Sequence, residues 1–192
     1  MQLPGILEYH DINLLPKDGS LEYFYPFFNE EDSDRFFQKL YTQTEWIQDE
    51  MEIYDKVHPL PRLISWYDES CEWQPELLEI KRFVEDYTRQ KFNTVLLNLY
   101  RNESDHVSWH SDKARNSADN KVIVSISFGE TRKFQVKHKW DKNLAPISID
   151  LMPGSMVIMK NMQDKWLHRV AKTAIPKAAR INLTFRNIVK EF

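Results

Sequence analysis

The sequence predicts an α+β fold, with two helices on one side of an antiparallel sheet sandwich or barrel. Three observations predict it. Two stretches carry apolar residues at helical spacing. From about residue 92 onward the pattern changes to short runs of β-branched and aromatic residues between turn signals. The helices come first and the strands follow in series, whereas a parallel doubly wound sheet would alternate them. With 192 residues the chain is long enough for one domain with a full core.

The elements follow in order. "EYFYPFFNEEDSDRFFQKLYTQTEW" opens on an aromatic strand-like piece. A helix starts near Asn29, with acidic residues in its first turn, where the helix dipole favours them. Phe36, Phe37, Leu40 and Tyr41 form its apolar stripe. "QPELLEIKRFVEDYTRQ" is the second helix: Pro75 suits its first turn, and Leu77, Leu78, Ile80, Phe83, Val84 and Tyr87 recur at helical spacing. "NTVLLNLYR", "KVIVSISFG", "RKFQVKHK", "ISIDLM", "SMVIMKN" and "ARINLTFRNIV" then read as strands, divided by "FGET", "MPGS" and "IPKA".

Composition bounds the partners. A hydrophobic fraction of 42% beside 29% charged residues is that of a globular protein, and no apolar run approaches the roughly 20 residues of a membrane helix. Cys71 is the one cysteine, so neither a disulfide framework nor a cysteine zinc site forms within the chain. The N-terminus lacks the basic start and apolar run of a signal peptide. The expectation is an unsecreted protein, cytoplasmic in a bacterium or nuclear in a eukaryote, and a monomer. The net charge is −3, but "TRKFQVKHKWDK" and residues 160–190 are basic. Such a run is ordinarily a solvated face; it is also what holds a phosphate backbone.

"ARINLTFRNI" carries the most chemistry. In a strand, Ile181, Leu183 and Phe185 share one face, and Arg180, Asn182, Thr184 and Arg186 the other. On a surface strand that polar face would lie in water. At the end of an unbroken series of strands it is instead a candidate inner strand, and two guanidinium forks with an asparagine between them suit a small dianion. In "NTVLLNLYR", Leu96, Asn98 and Tyr100 share a face and can enter the same cavity. His110 and Asp112 of "SWHSDK" follow, on an expected loop. For a third metal ligand, His138 lies in the basic "KHK" and His106 in a polar loop, whereas His168 of "WLHRV" sits on an apolar piece shortly before the arginine strand. Two histidines and one carboxylate with open positions form the facial triad of non-haem Fe(II) oxygenases. Zinc accepts the same ligands. The arginine strand favours iron, because 2-oxoglutarate is a dianion that chelates Fe(II) at one end and needs a cation at the other.

Together, "VLLNLYR", "WHSDK", "VSISFGETRKFQVKHK", "LMPGSMVIM", "WLHRV" and "ARINLTFRNI" resemble, in order and spacing, the AlkB family of Fe(II)/2-oxoglutarate dioxygenases, over about residues 53–188. The members that repair alkylated DNA are most similar. The resemblance implies a double-stranded β-helix (jelly roll) core over about 92–190, helices on the outer face of one sheet, and a nucleotide-recognition region over about 51–75 after an N-terminal extension and first helix. It implies that His110, Asp112 and His168 hold Fe(II). Asn98, Tyr100, Arg180, Asn182 and Arg186 would bind 2-oxoglutarate, with Arg180 on the distal carboxylate and Arg186 nearer the chelating end and catalytic. Tyr54 would fall at the finger that fills the gap of a flipped base, with Arg62, Trp66, Tyr67, Trp73 and His110 also facing substrate. The implied reaction consumes O2 and 2-oxoglutarate and removes N-methyl groups from 1-methyladenine or 3-methylcytosine in DNA, releasing succinate, CO2 and formaldehyde. A base in a duplex must first leave the stack.

Two departures bear on substrate. Repair members often carry an acid two positions after the ligand aspartate, where this chain has Ala114, and the aromatic-rich loop after the Pro-Arg segment reads "DESCEWQPE". They leave open the same chemistry on RNA, protein or a small molecule, and a module that binds nucleic acid without chemistry.

Overall fold

A computed structural model describes residues 12–53, 56–112 and 122–189, with the backbone alone at 51–53 and 56. In chain order the elements are β1 (Ser20–Phe24), α1 (Glu30–Gln43), β2 (Glu50–Ile53), β3 (Lys56–Pro59), β4 (Leu63–Tyr67), α2 (Pro75–Thr88), β5 (Thr94–Tyr100), β6 (Val107–His110), β7 (Val122–Gly129), β8 (Arg132–His138), β9 (Ile147–Leu151), β10 (Ser155–Lys160), β11 (Trp166–Val170) and β12 (Arg180–Arg186). They build a six-stranded sheet, β1-β10-β7-β12-β5-β4, facing a four-stranded sheet, β6-β11-β8-β9, with β2 and β3 as a separate hairpin. The strand pairs are antiparallel throughout. This is the predicted α+β jelly roll.

Each face of the large sheet has its own apolar or polar lining because side chains alternate along a strand. Val95, Leu97 and Leu99 of β5, Val124, Ile126 and Phe128 of β7, Met156 and Ile158 of β10, and Ile181, Leu183 and Phe185 of β12 join one cluster with Phe36 and Leu40 of α1 and Leu77, Ile80 and Val84 of α2. A second cluster lies between the sheets, where Leu21, Val157 and Met159 meet Phe134, Val136, Ile149, Leu151 and Trp166. The helices therefore clamp the large sheet from outside, and the inter-sheet space is free to carry polar chemistry at one end.

Local signals set the helix starts. Asn29 caps α1 by accepting the Asp32 N–H at 2.7 Å, and Pro75 opens α2. Three expectations need correction. Leu78 is 52% exposed and Tyr41 is 44% exposed, so neither belongs to a buried stripe. Tyr41 stacks on Phe37 instead, with ring centroids 5.6 Å apart. The sandwich is also wider than residues 92–190: β1 and β4 form the two edges of its large sheet, so two segments before residue 92 each donate a strand.

Candidate active site

The inner face of β12 decides where the polar chemistry sits. Arg180 pairs in register with Tyr100, Asn182 with Asn98, and Thr184 with Leu96, while Ser127 and Ser125 of β7 stand on the other side of Asn182 and Thr184. Apart from Ser127, these side chains line a cavity of about 160 Å³ together with His110, Asp112, Phe134, Leu151 and His168. The ordinary reading of β12, a charged face in water, is excluded: Arg180, Asn182 and Thr184 are all buried.

His110, Asp112 and His168 converge from the opposite sheet. His110 ends β6 and pairs in register with His168 on β11. The expected loop position of His110 is thus corrected: Val107–His110 forms an edge strand of the small sheet, which fixes the ring opposite its partner. The two imidazole centroids lie 4.2 Å apart. Each Nε2 is 3.9 Å from a different oxygen of Asp112, and the three ligand atoms all lie within 4.8 Å of one another. His106 and His138, the other candidates, are engaged elsewhere: the first reaches the Ser104 carbonyl, the second Asp18.

Protonation states suit a cation. His110 Nδ1 donates to the Ser108 carbonyl at 2.8 Å, which leaves Nε2 as the nitrogen turned toward Asp112. Burial pushes His168 down to about 4, against the pull of Asp112, so its imidazole is neutral at pH 7. Burial also works against ionisation of Asp112, but the guanidinium of Arg186 and the two imidazoles hold its carboxyl below the usual range. Arg186 Nη2 is 2.9 Å from Asp112 Oδ1. The backbone N–H of Asp112 donates to Gln163 Oε1 at 2.9 Å.

The large sheet supplies the opposite charge requirement. Arg180 is fully buried, and burial lowers it to about 10 while Tyr100 works the other way, so it stays charged at pH 7. Its Nη2 donates to Ser127 Oγ at 2.9 Å, and its Nε and Nη1 have no partner. A buried guanidinium with two unsatisfied donors is costly alone and fits an anion. Asn182 donates to Ser125 Oγ at 2.6 Å and to the Ile126 carbonyl at 3.0 Å, and Thr184 donates to Asn182 Oδ1 at 3.1 Å. Arg62 Nε donates to Asn98 Oδ1 at 2.7 Å, tying the segment before β4 to the cavity wall.

Comparison with known proteins agrees with this arrangement. A model of the 2OG-Fe(II) oxygenase superfamily matches residues 20–186. Alpha-ketoglutarate-dependent dioxygenase alkB homolog 3 of Bos taurus is 34% identical across 82% of this chain and 62% of its own length. The human homolog 3 is 33% identical across 93% of the chain and 70% of its own length. The chain belongs to the AlkB family of 2OG-Fe(II) oxygenases. Human DNA oxidative demethylase ALKBH2 is 29% identical across 84% of this chain and 71% of its own length. Two solved structures share the fold: OsALKBH1, with a TM-score of 0.64, 15% identity and coverage of 92% of this chain and 100% of its own, and a prolyl hydroxylase of Trichoplax adhaerens, with a TM-score of 0.63, 10% identity and coverage of 87% and 83%. As an AlkB-family oxidoreductase the chain requires Fe(II), 2-oxoglutarate and O2.

Against that family pattern, the substrate positions divide. Arg62 lines the cavity. Trp66 pairs with Leu96 on the cavity-side face of β4 and is 43% exposed. Tyr67 and Trp73 are corrections. Tyr67 pairs with Val95, so alternation turns it to the helix side, where its hydroxyl accepts from Gln74 at 2.8 Å. Trp73 packs beside it, donating from Nε1 to the Asp68 carbonyl at 2.9 Å. Both brace the helix-side core. Tyr54 and Ala114 lie outside the described residues. Sequence reasoning missed Ser125 and Ser127, although their alternation in "VSISFG" marks them as the polar face of an otherwise apolar strand. It also missed Gln163, which stands in a turn where no periodicity points to it, and Arg132, fully buried beneath Tyr100 and bonded to the carbonyls of Asn102, Asp105 and Ala171.

Proposed function

We propose that this chain oxidatively dealkylates N-alkylated nucleobases, such as 1-methyladenine and 3-methylcytosine, in DNA. The observation that carries the reading is a buried guanidinium with two unsatisfied donors on one cavity wall, facing a neutral-His, ionised-Asp cluster on the other. The first fits a distal carboxylate of 2-oxoglutarate; the second fits Fe(II) held by His110, Asp112 and His168. Relatives named as an alkB homolog and a DNA oxidative demethylase support the nucleobase as target.

Iron and 2-oxoglutarate together supply the oxidation, in which one atom of O2 hydroxylates the N-alkyl carbon and the other leaves in succinate as CO2 is lost. The resulting N-hydroxymethyl group releases formaldehyde and restores the nitrogen's lone pair or N–H. The chain's own residues orient and protect. Arg180 neutralises the dianion, with Ser127 fixing its fork. Asn98 and Asn182 offer amides beside it. Arg186 keeps Asp112 ionised and oriented. Val107, Phe134, Leu151 and Val170 give the cavity an apolar wall that limits water. Arg62 lines the cavity and is held there by Asn98.

Incubation of the iron-loaded protein with 2-oxoglutarate and an oligonucleotide bearing 1-methyladenine tests the reading. Formaldehyde release and loss of the methyl group are expected, and His168→Ala abolishes both. An iron-loaded protein that forms succinate with alkylated RNA, protein or a small molecule, and leaves the alkylated DNA intact, overturns the DNA substrate.

A further inference from the structure

Part of the basic run singled out in the sequence, Lys133 and Lys137, lies on the outer face of the small sheet, and Arg169 joins it from β11 while also reaching the cavity wall. Alternation turns Lys133 and Lys137 away from the metal cluster. On β11, Trp166, His168 and Val170 are buried while Leu167 and Arg169 are half-buried on the other face. On β6, His110 faces the cavity and Trp109 the outside, so one residue step passes from the iron cluster to this surface. There Lys137 Nζ and Arg169 Cζ each lie 4.5 Å from the centroid of the Trp109 ring. Gln135 Oε1 fixes Arg169 by accepting its Nε at 2.8 Å.

Much of the surface charge elsewhere is paired. Lys17, Arg35, Lys91, Arg101, Lys133, Lys160 and Lys177 each meet a carboxylate at 3.0 Å or less. Lys137 and Arg169 meet an indole instead, and among the described residues no carboxylate forms an ion pair with either. An indole face offsets part of the repulsion between two neighbouring cations but leaves their charge available. The pattern repeats at the end of the same two strands, where Lys165 lies 5.1 Å over Trp140, itself 63% exposed, and the Lys139 N–H donates to the Lys165 carbonyl. On a chain of net charge −3, a line of unneutralised cations interleaved with tryptophans is complementary to a polyanion that also carries flat apolar groups.

We propose that this outer face binds the phosphodiester backbone of a single-stranded nucleic acid, holding the strand that flanks the nucleotide in the cavity. Lys137 and Arg169 contact phosphates, and Trp109 holds the two cations at the strand end that carries His110. The proposal rests on the nucleic-acid reading above and adds to it the surface that grips the polymer.

The test uses protein loaded with Mn(II) and 2-oxoglutarate and a labelled single-stranded oligonucleotide bearing 1-methyladenine, with anisotropy followed across a salt series. Each phosphate contact on a single strand contributes about 0.7 to the slope of log affinity against log salt. The Lys137→Gln/Arg169→Gln pair is expected to lower the slope by about 1.4 and the affinity by about tenfold. Arg169→Lys, which keeps the charge, retains the slope; Lys137→Gln alone loses about half as much as the pair. Lys91→Gln, which removes a charge already paired with Glu85, changes neither quantity. Wild-type affinity and slope in the double variant, from a protein that dealkylates the oligonucleotide, overturn this surface alone. A wild-type protein that neither binds nor dealkylates the strand overturns this proposal and the proposed function together.

Discussion

Arg180 is the residue on which the site turns, because its burial is unfavourable until an anion arrives. A charge removed from water with two donors unsatisfied destabilises the ligand-free fold. Arg180→Gln should therefore leave the cofactor-free protein as stable as the wild type or more so by calorimetry. The same variant should weaken 2-oxoglutarate binding by at least thirtyfold in a titration of metal-loaded protein, since losing one partner of a buried charge pair costs about 2 kcal/mol or more. A stable variant that binds 2-oxoglutarate normally would place the dianion elsewhere. Gln163 acts one step further out. Its Oε1 holds the Asp112 N–H while its Nε2 rests on Met159 Sδ at 3.6 Å, so it positions a carboxylate it does not touch. Supporting contacts of this kind are worth about 10- to 100-fold in metal affinity. Gln163→Leu is expected to weaken Co(II) binding within that range, read by its visible absorption, while the far-ultraviolet circular dichroism stays unchanged.

At the scale of elements, the strands were legible where one face is apolar and the other polar, as in "ARINLTFRNI" and "NTVLLNLYR", because alternation alone separates cavity from core. The metal cluster was legible because its residues lie on short pieces flanking those strands. β4 and β6 were not read as strands: "LISWY" has apolar residues on both faces, and "VSWH" is four residues long with a bulge opposite β11. The face of Tyr67 was lost with β4, since a strand that is not recognised has no sides, and Trp73 packs beside Tyr67. The turn before β6 depends on Asp105, which accepts from Arg101 N, Nε and Nη2 at 2.8, 2.7 and 2.9 Å and is 4% exposed. Burial disfavours its charge, but Arg101 more than offsets this and lowers its carboxyl below the usual value. Asp105→Asn should cost about 2 kcal/mol at pH 7. A depressed carboxylate stabilises above its unfolded value, near 4, and loses that contribution as pH falls through the folded value. The denaturation midpoints of wild type and variant should accordingly converge below about pH 4; a gap that stays constant to lower pH would remove Asp105 ionisation from the account.

For the whole molecule, the two sheets divide the work. The large sheet contributes Asn98, Arg180, Asn182 and Arg186, and the small sheet contributes His110 and His168, with Asp112 just beyond β6. The inter-sheet apolar cluster reaches the cavity through Phe134, Leu151 and Val170, while the rest of the wall carries charged and polar groups, with two guanidinium donors of Arg180 left unsatisfied. Metal alone satisfies the histidine side, and the dianion alone satisfies the arginine side. On the proposed reading, a dianion held by Arg180 at one end and by the metal at the other would join one sheet to the other through the cavity. A ligand that bridges two elements stabilises by its affinity, and each partner raises the affinity of the other by the same factor. Thermal unfolding should show this as synergy: the rise in Tm with Mn(II) and 2-oxoglutarate together exceeds the sum of the rises with each alone. In Arg180→Gln the excess should vanish while the Mn(II) shift persists, and in His168→Ala both should fall away. Strictly additive shifts in the wild type would mean that the two ligands sit in the sandwich without bridging it.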